Sequence, residues 1–189
     1  MKKPISLGII FFAVFTFAVS AQDAAPAQKE SKTKLEAFEA KTGTVLIKGI
    51  QEIGSVEGSG AVTVECREFT DANTGHKEYG IIIEVKESAR FERKSKSLID
   101  YDEIDSLLKG IDYISKVNKS VTQLTSFEAV YKTKGDLSVT TFNTDRDEMR
   151  AAIQSGRIGS ATAFFSPDQL TKFRVLIENA KVKLDAVKK

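Results

Sequence analysis

Two amphipathic helices, each preceded by a block of alternating apolar and polar residues, constrain the fold of this 189-residue chain most strongly. The helices are predicted near 101–117 and 167–186, because apolar side chains recur at helical spacing in both segments. The blocks at 44–98 and 124–165 are rich in the period-two alternation of half-buried strands. The pattern predicts an α+β fold in which about seven mostly antiparallel strands pack against the two long helices.

Capping sequences mark the predicted helix starts. Asp100 has the character of an N-cap for the first long helix, and Glu103 follows three residues later. The segment Ser166-Pro167-Asp168-Gln169 opens the second with a hydroxyl cap, a proline at the first helical position and a glutamine that can close a capping box. Thr33 and Glu36 have the same spacing and predict a short helix near the start of the domain.

The remaining elements are predicted from alternation and turn residues. Between the long helices we expect strands at 124–133 and 137–143, a short helix over 145–155, and a strand at 158–165. Turns are expected where glycine and small polar residues cluster: Gly58-Ser59-Gly60, Asp71-Ala72-Asn73-Thr74-Gly75 and Lys134-Gly135-Asp136.

The strands-then-helix order occurs twice, which suggests similar halves at 44–118 and 123–187. A degenerate duplication and two independently well-capped helices both account for it. With Phe165-Ser166-Pro167-Asp168-Gln169-Leu170 opening the second helix, this element order resembles that of the Whirly-type single-stranded nucleic-acid-binding proteins. The predicted helix over 145–155 departs from that pattern, which has a strand there. Such a likeness of fold does not by itself imply a function.

The first 21 residues have the organisation of a signal peptide. Lys2 and Lys3 precede an apolar run over 5–19, and small residues end at Ala21. An uncleaved membrane anchor is the alternative, but the run is shorter than the roughly 20 residues that a spanning helix needs. We therefore expect a flexible leader at 22–30, a single α+β domain at 31–189, no membrane span after cleavage, and a periplasmic or secreted location.

Cleavage at this site removes two of the 28 basic residues and leaves the 26 acidic ones, so the exported chain has no formal net charge. A balanced chain lacks the overall positive field of a general nucleic-acid binder, which disfavours nucleic acid as a partner. The single cysteine, Cys66, excludes an intramolecular disulfide, and its place in the alternation predicts a core position.

No catalytic residue, cofactor site or metal site is predicted. His76 is the only histidine and falls in a predicted turn, so triads and histidine-rich zinc sites have no support. The densest acidic cluster is Asp100, Asp102, Glu103 and Asp105. As an EF-hand it fails, because the loop needs an oxygen ligand and then glycine where Ile104 and Asp105 stand. Acids at a helix start are expected from the macrodipole alone.

One group of residues is a candidate for binding an anion or a partner, and we call it the basic strip: Lys86, Arg90, Arg93, Lys94 and Lys96. Arg90, Lys94 and Lys96 are predicted to share one strand face, where they could meet phosphates, anionic glycans or an acidic partner. Charges on an edge strand also prevent sheet-to-sheet aggregation, so that interpretation stays open.

The leading functional hypothesis is an exported, non-enzymatic binding or interaction module of the cell envelope or secretome. Its partner would be an unknown protein or an anionic polymer of the envelope. The alternative is a hydrolase that acts on an envelope polymer through paired carboxylates, at least one with a raised pKa. The third hypothesis is a single-stranded nucleic-acid binder, which needs exposed aromatics such as Phe91 or Tyr79 on a basic sheet face.

Overall fold

The computed structural model describes residues 32–88 and 92–188, so the predicted signal peptide, the leader, Arg90 and Phe91 lie outside the described residues. The described part contains eight antiparallel strands in two four-stranded sheets, and each sheet keeps its strands in sequence order. The predicted α+β class is confirmed.

The first sheet comprises β1 (Leu46–Gly58), β2 (Gly60–Asp71), β3 (Lys77–Glu87) and β4 (Arg93–Asp100). The second comprises β5 (Glu128–Lys132), β6 (Leu137–Asn143), β7 (Met149–Ser155) and β8 (Ala161–Phe165).

Three α-helices accompany the sheets: α1 (Lys34–Glu39), α2 (Ile104–Ile114) and α3 (Pro167–Val187). Short 3₁₀ turns at Tyr101–Glu103 and Lys119–Val121 flank α2, which is shorter than predicted. The capping box at the start of α3 is present as predicted. No helix in the described ranges combines the length and the apolar character needed to cross a membrane.

The predicted helix over 145–155 is wrong, because most of this segment forms β7. Alanine, methionine and arginine favour helices in isolated peptides. Here Ala151 and Ile153 point into the core while β7 pairs with β6 on one side and β8 on the other, and that pairing overrides local preference. The correction restores the order of four strands followed by a helix in both halves.

Each long helix packs mainly against the sheet that it does not directly follow in the chain. α2 follows the first sheet but packs against β5 and β6 of the second, whereas α3 follows the second sheet and lies across β1 and β2 of the first. The sheets also contact each other directly, with β3 against β8. One apolar core therefore contains side chains from both sheets and both long helices.

A second, smaller apolar cluster lies on the other side of the first sheet, beneath α1. Leu35 and Phe38 of α1 pack there against Phe69, Ile82 and Leu98. The part of the first sheet beneath α1 is consequently buried on both faces. This explains why apolar residues occupy adjacent positions of β3 instead of alternating with polar ones.

The predicted role of Asp100 as cap of its own helix is wrong. Its buried carboxylate accepts hydrogen bonds from the backbone N–H groups of Lys34 (2.8 Å) and Leu35 (3.1 Å). It therefore satisfies the first two N–H groups of α1, whose N-cap is Thr33, and makes no capping bond to the helix that follows Asp100. Only the packing of α1 against the first sheet brings these N–H groups within reach.

The turn between β1 and β2 connects the two sheets. Ser59 exchanges two backbone hydrogen bonds with Phe164 of β8, at 2.9 and 3.0 Å. Gly60 has a φ of +105°, and a Cβ there would lie 2.5 Å from the carbonyl oxygen of Lys86 and 2.8 Å from Cβ of Ala163. Glycine is therefore required by both the backbone conformation and the close approach of the sheets.

Candidate functional site

The basic strip lies on and beside β4, an edge strand of the first sheet. Lys94 faces Lys86 across the β3–β4 ladder, and Lys96 follows on the same outward face. Arg93 pairs with Glu87 and points to the opposite face. Strand alternation thus places three of the four described members together and separates the fourth.

Acidic neighbours surround these cations. Lys86 Nζ lies 2.7 Å from Glu92 Oε1, and Lys96 Nζ lies 2.9 Å from Glu84 Oε2. The hydrogen bond between Lys86 and Glu92 raises the pKa of the lysine and lowers that of the glutamate. Lys94 alone among the described members of the strip has no ion-pair partner in the described residues. The strip is accordingly a mixed-charge edge rather than a concentrated positive field.

The second sheet has a different exposed surface, whose residues form no cluster in the sequence. Its inward residues face α2, α3 and the first sheet, whereas no described helix or strand packs over its outward residues. We call this outward surface the open face. From the strand pairing it comprises Glu128, Val130, Lys132, Ser138, Thr140, Phe142, Arg150, Ala152, Gln154, Thr162 and Phe164.

A hollow of about 640 Å³ occupies one end of the open face. Its floor includes Val130, Thr140 and Ser138 on β5 and β6. Its rim lies where the β5–β6 turn meets the loop after β7, and there the N–H of Gly156 donates to the carbonyl oxygen of Asp136 at 3.0 Å. Two chain segments distant in sequence therefore build the site, and it has the size range of ligand pockets.

The charges at this hollow favour an anion. Lys132 and Arg157 both line it, are exposed, and form no ion pair with any described residue. Of its two acids, Asp136 is paired with Lys32 at 2.6 Å, which leaves Glu128 as the only lining carboxylate without an ion pair among described residues. Arg150 adds a further exposed cation elsewhere on the open face.

Apolar side chains lie among the polar groups of the open face. The rings of Phe142 and Phe164 meet edge to face with centroids 6.5 Å apart. Phe164 is 44% exposed and Val130 is 45% exposed, although both belong to regular strands. Hydroxyl groups, cations and partly exposed rings on one surface suit an extended ligand that carries both polar and flat apolar parts.

The acidic cluster does not converge on a common point. The carboxylate of Asp100 binds the α1 backbone, Asp102 pairs with Lys34 at 2.6 Å, and Glu103 accepts from the N–H of Lys134 at 2.9 Å. Asp105 lies 3.4 Å from Lys181. Within 32–88 and 92–188, no three His, Cys, Asp or Glu side chains are grouped as a metal-ion site requires.

The remaining sequence candidates have structural roles. Cys66 is buried in the main core, where its thiol contacts the carbonyl oxygen of Ala180 at 3.4 Å and burial raises its pKa to about 11. This confirms the predicted core position, since such a thiol stays protonated and unreactive at neutral pH. His76 is exposed beside Glu78 at 3.2 Å, in the predicted turn. Tyr79 is half-buried against the main core, on the opposite face from Lys94 and Lys96.

Among the described residues, every carboxyl group whose pKa departs clearly from its ordinary value has a lowered pKa. A hydrogen bond from Arg174 lowers the pKa of Asp112, one from Lys77 lowers that of Glu68, and one from Tyr101 lowers that of Asp185. General-acid catalysis by a carboxyl group instead requires a pKa raised toward neutrality.

Comparison with protein-family models, with curated proteins and with solved structures finds no match to this chain. The likeness to Whirly-type proteins therefore remains one of element order.

The sequence contained a partial signal for the open face. The alternation over 137–143 sets Ser138, Thr140 and Phe142 on one side of the strand, and in the structure that side faces away from the core. A helix over 145–155 would not bring Arg150 and Gln154 next to these residues. The strand β7 does, since it pairs Phe142 with Arg150 and Ser138 with Gln154. The exposure of this surface depends on where the helices pack, which local patterns do not contain.

Proposed function

We propose that this chain is an exported, non-enzymatic binding module whose open face binds an anionic polymer of the cell envelope. The observation that carries the proposal is the hollow with Lys132 and Arg157 at its edge. Two cations without ion pairs among the described residues, set beside serine, threonine and glutamine side chains, match a chain that bears repeated negative charges and hydroxyl groups.

The basic strip is the competing site for the same ligand class. Lys86 and Lys96 are each within 3 Å of a glutamate oxygen, so an anion must compete with an existing ion pair there. Lys132 and Arg157 form no ion pair with a described residue, so an anion that binds them does not have to displace a carboxylate of the described part of the chain. Charge balance therefore favours the hollow, and the strip is better suited to protecting the β4 edge.

A pair of double variants distinguishes the two surfaces. Lys132→Ser with Arg157→Ser removes two positive charges from the hollow, and Lys94→Ser with Lys96→Ser removes two from the strip. Binding of heparin, as a soluble anionic glycan, is measured by titration calorimetry at several salt concentrations. We expect the hollow variant to lose about tenfold or more in affinity and the strip variant to change much less.

Each outcome bears on the proposal. Equal losses in the two variants indicate only nonspecific charge attraction, and a larger loss in the strip variant moves the site to β4. Absence of heparin binding by the unmodified protein contradicts the assignment of anionic glycans as the ligand class. Far-UV circular dichroism and melting curves show whether both variants remain folded.

A single-stranded nucleic-acid binder is the second candidate, because Phe142 and Phe164 expose ring surface beside Arg150. Bases stack on such rings in sheet-face binders. The predicted export and the balanced charge of the mature chain count against it. A labelled oligothymidylate in the same titration tests it. Tight binding that Phe164→Thr weakens would replace the glycan proposal.

The hydrolase alternative depends on a carboxyl group with a raised pKa. The clearly shifted carboxyl pKa values described above are lowered instead. It is tested by measuring the release of reducing ends from heparin incubated with the protein. Release that also occurs with a mock preparation from cells lacking the protein indicates contamination, whereas release that requires this chain contradicts a non-enzymatic role.

Export is tested on the full-length chain expressed in a bacterial host. Intact mass and N-terminal sequencing of the product outside the cytoplasm are expected to show Gln22 as the first residue. Retention of Met1 in a membrane-bound product would instead support the uncleaved anchor.

A further inference from the structure

The strand β1 exposes an unusual edge. It is the outer strand of the first sheet, and no described strand pairs with its free side. Every residue from 47 to 52 is exposed, including Ile47 at 56% and Ile50 at 60%. A long edge with exposed apolar side chains and free backbone groups is a template for pairing with another strand.

The sequence of this edge is complementary to itself. In an antiparallel pair of two β1 strands with Ile50 opposite Ile50, Lys48 of each copy faces Glu52 of the other. All three positions lie on the same face, because they alternate along the strand. Two opposite-charge pairs then flank a central apolar pair, which is the arrangement that an isologous two-fold interface requires.

Neighbouring registers lack this match. Moving the two-fold axis to Gly49 places Lys48 opposite Ile50, and moving it to Gln51 places Glu52 opposite Ile50. In both, charged side chains face apolar ones and the ion pairs are lost. The irregularity of the ladder between Glu52 and Gly54 also limits regular pairing to the stretch up to residue 53. A lysine on an edge strand usually disfavours pairing with another strand. Here Lys48 is compatible with the register that places it opposite Glu52 and disfavours the neighbouring ones.

The local contacts of Lys48 are compatible with this arrangement. Its Nζ lies 2.6 Å from Glu39 Oε1, and the lysine side chain is 40% exposed. An ammonium group has three donors, so it can bridge Glu39 and a second carboxylate. Glu52 is exposed and forms no ion pair with any described residue.

We propose that a second copy of this chain docks on β1, with the two strands antiparallel and Ile50 at the two-fold axis. The first sheets of the two copies then join into one continuous eight-stranded sheet. The open face belongs to the other sheet, so dimerisation does not depend on the proposed function.

Charge exchange tests the register. The mass of the full-length protein's exported product is measured by sedimentation velocity over a wide range of concentration, for the unmodified chain and for variants. Lys48→Glu and Glu52→Lys each create two like-charge pairs, and we expect each to weaken dimerisation by about tenfold or more. The double exchange Lys48→Glu with Glu52→Lys restores opposite pairs and is expected to restore the dimer. Glu57→Lys, on the same strand beyond the paired stretch, is the matched control and leaves dimerisation unchanged.

A crosslink tests the axis directly. Directly opposed residues in an antiparallel pair have Cα atoms about 4.5–5.5 Å apart, within the range of a disulfide. Ile50→Cys is expected to give a covalent dimer on mild oxidation. Ser55→Cys is exposed on the same strand but lies beyond the paired stretch, about five residues from the two-fold axis, so it does not crosslink with itself. Native Cys66 is buried and does not compete.

The proposal is overturned by a monomer at every concentration, by a dimer that neither charge reversal weakens, or by a double exchange that fails to restore it. Equal crosslinking at positions 50 and 55 also contradicts the register. Melting curves of each variant separate loss of dimerisation from loss of folding.

Discussion

The two sheets share one core but differ in how many faces they bury. The first sheet has the main core on one side and the α1 cluster on the other. The second sheet contributes to the same main core, and its other side is the open face. The six-residue helix α1 therefore covers part of the outward face of the first sheet, whereas the outward face of the second sheet has no such helix among the described residues.

The difference is visible in the residues that point outward. In the first sheet, Phe69, Ile82 and Leu98 are outward but buried beneath α1. In the second, Thr140, Ala152 and Gln154 occupy outward positions without a covering helix. An antiparallel sheet with one solvated face keeps polar residues there, whereas a sheet covered on both faces does not. The second sheet is consequently the place to look for a ligand.

The largest effect is expected in the shared core. Phe173→Ala removes a fully buried ring of α3 and should lower the free energy of unfolding by about 3–5 kcal/mol. Val175→Ala, 44% exposed on the same helix, should change it by less than about 0.5 kcal/mol. Urea unfolding followed by circular dichroism measures both. Two separate unfolding transitions in Phe173→Ala would contradict the shared core, since they would mean that the two sheets unfold independently.

The next prediction compares matched outward positions of the two sheets. Ile82→Thr places a hydroxyl beneath α1 and should lower the free energy of unfolding by about 2–3 kcal/mol. Val130→Thr on the open face should change it by about 0.5 kcal/mol or less. The same urea midpoints report both values. Similar losses in the two variants would show that another part of the protein covers the open face.

A smaller effect is expected at the attachment of α1. Asp100→Asn keeps only one acceptor oxygen for the N–H groups of Lys34 and Leu35, which should cost about 1–2 kcal/mol. Hydrogen exchange is expected to accelerate in α1 before it does so in the sheets. Uniform acceleration throughout the protein would mean that α1 is not a separable cover.

The smallest effect is a pH dependence in the β2–β3 hairpin of the first sheet. Hydrogen bonds from Lys41 and Thr44 lower the pKa of Asp71 to about 2, against 3.8 for an ordinary aspartate. Because the folded-state pKa is the lower one, this stabilisation is present above pH 3.8 and disappears as the pH falls toward 2. Asp71→Asn should remove that part of the acid sensitivity.

Asp147→Asn in the second sheet is the matched control, since Lys119 lowers the pKa of an exposed carboxyl there. Unfolding midpoints measured from pH 5 to pH 2 should change less for this variant than for Asp71→Asn. A greater change at Asp147 would assign the stronger acid sensitivity to the second sheet.

Much of the fold was predictable because its signals are local. The capping box at Ser166 and the apolar stripe of α3 depend on residues within a few turns of one another, and both are present. Alternation placed Cys66 in the core correctly. The errors occurred where distant contacts decide: the strand at Met149–Ser155 needs two partner strands, and Asp100 needs the N-terminus of α1.

The candidate site was less predictable for the same reason. The basic strip is a cluster in sequence and is evident there, with Glu92 among its members, but only the fold places Glu84 opposite Lys96 on the β3–β4 ladder. Lys132 and Arg157 are far apart in sequence and meet at one hollow because the β5–β6 turn contacts the loop after β7.

The sequence by itself determined the period of most elements, the positions of most turns and the capping of α3, because these depend on backbone preferences and side chains within a few residues. The tertiary structure alone decided which sheet each helix covers, that the carboxylate of Asp100 binds the first N–H groups of α1, and which sheet face stays open. Those outcomes depend on the burial of apolar surface between segments far apart in the chain, and that surface exists only when the segments meet.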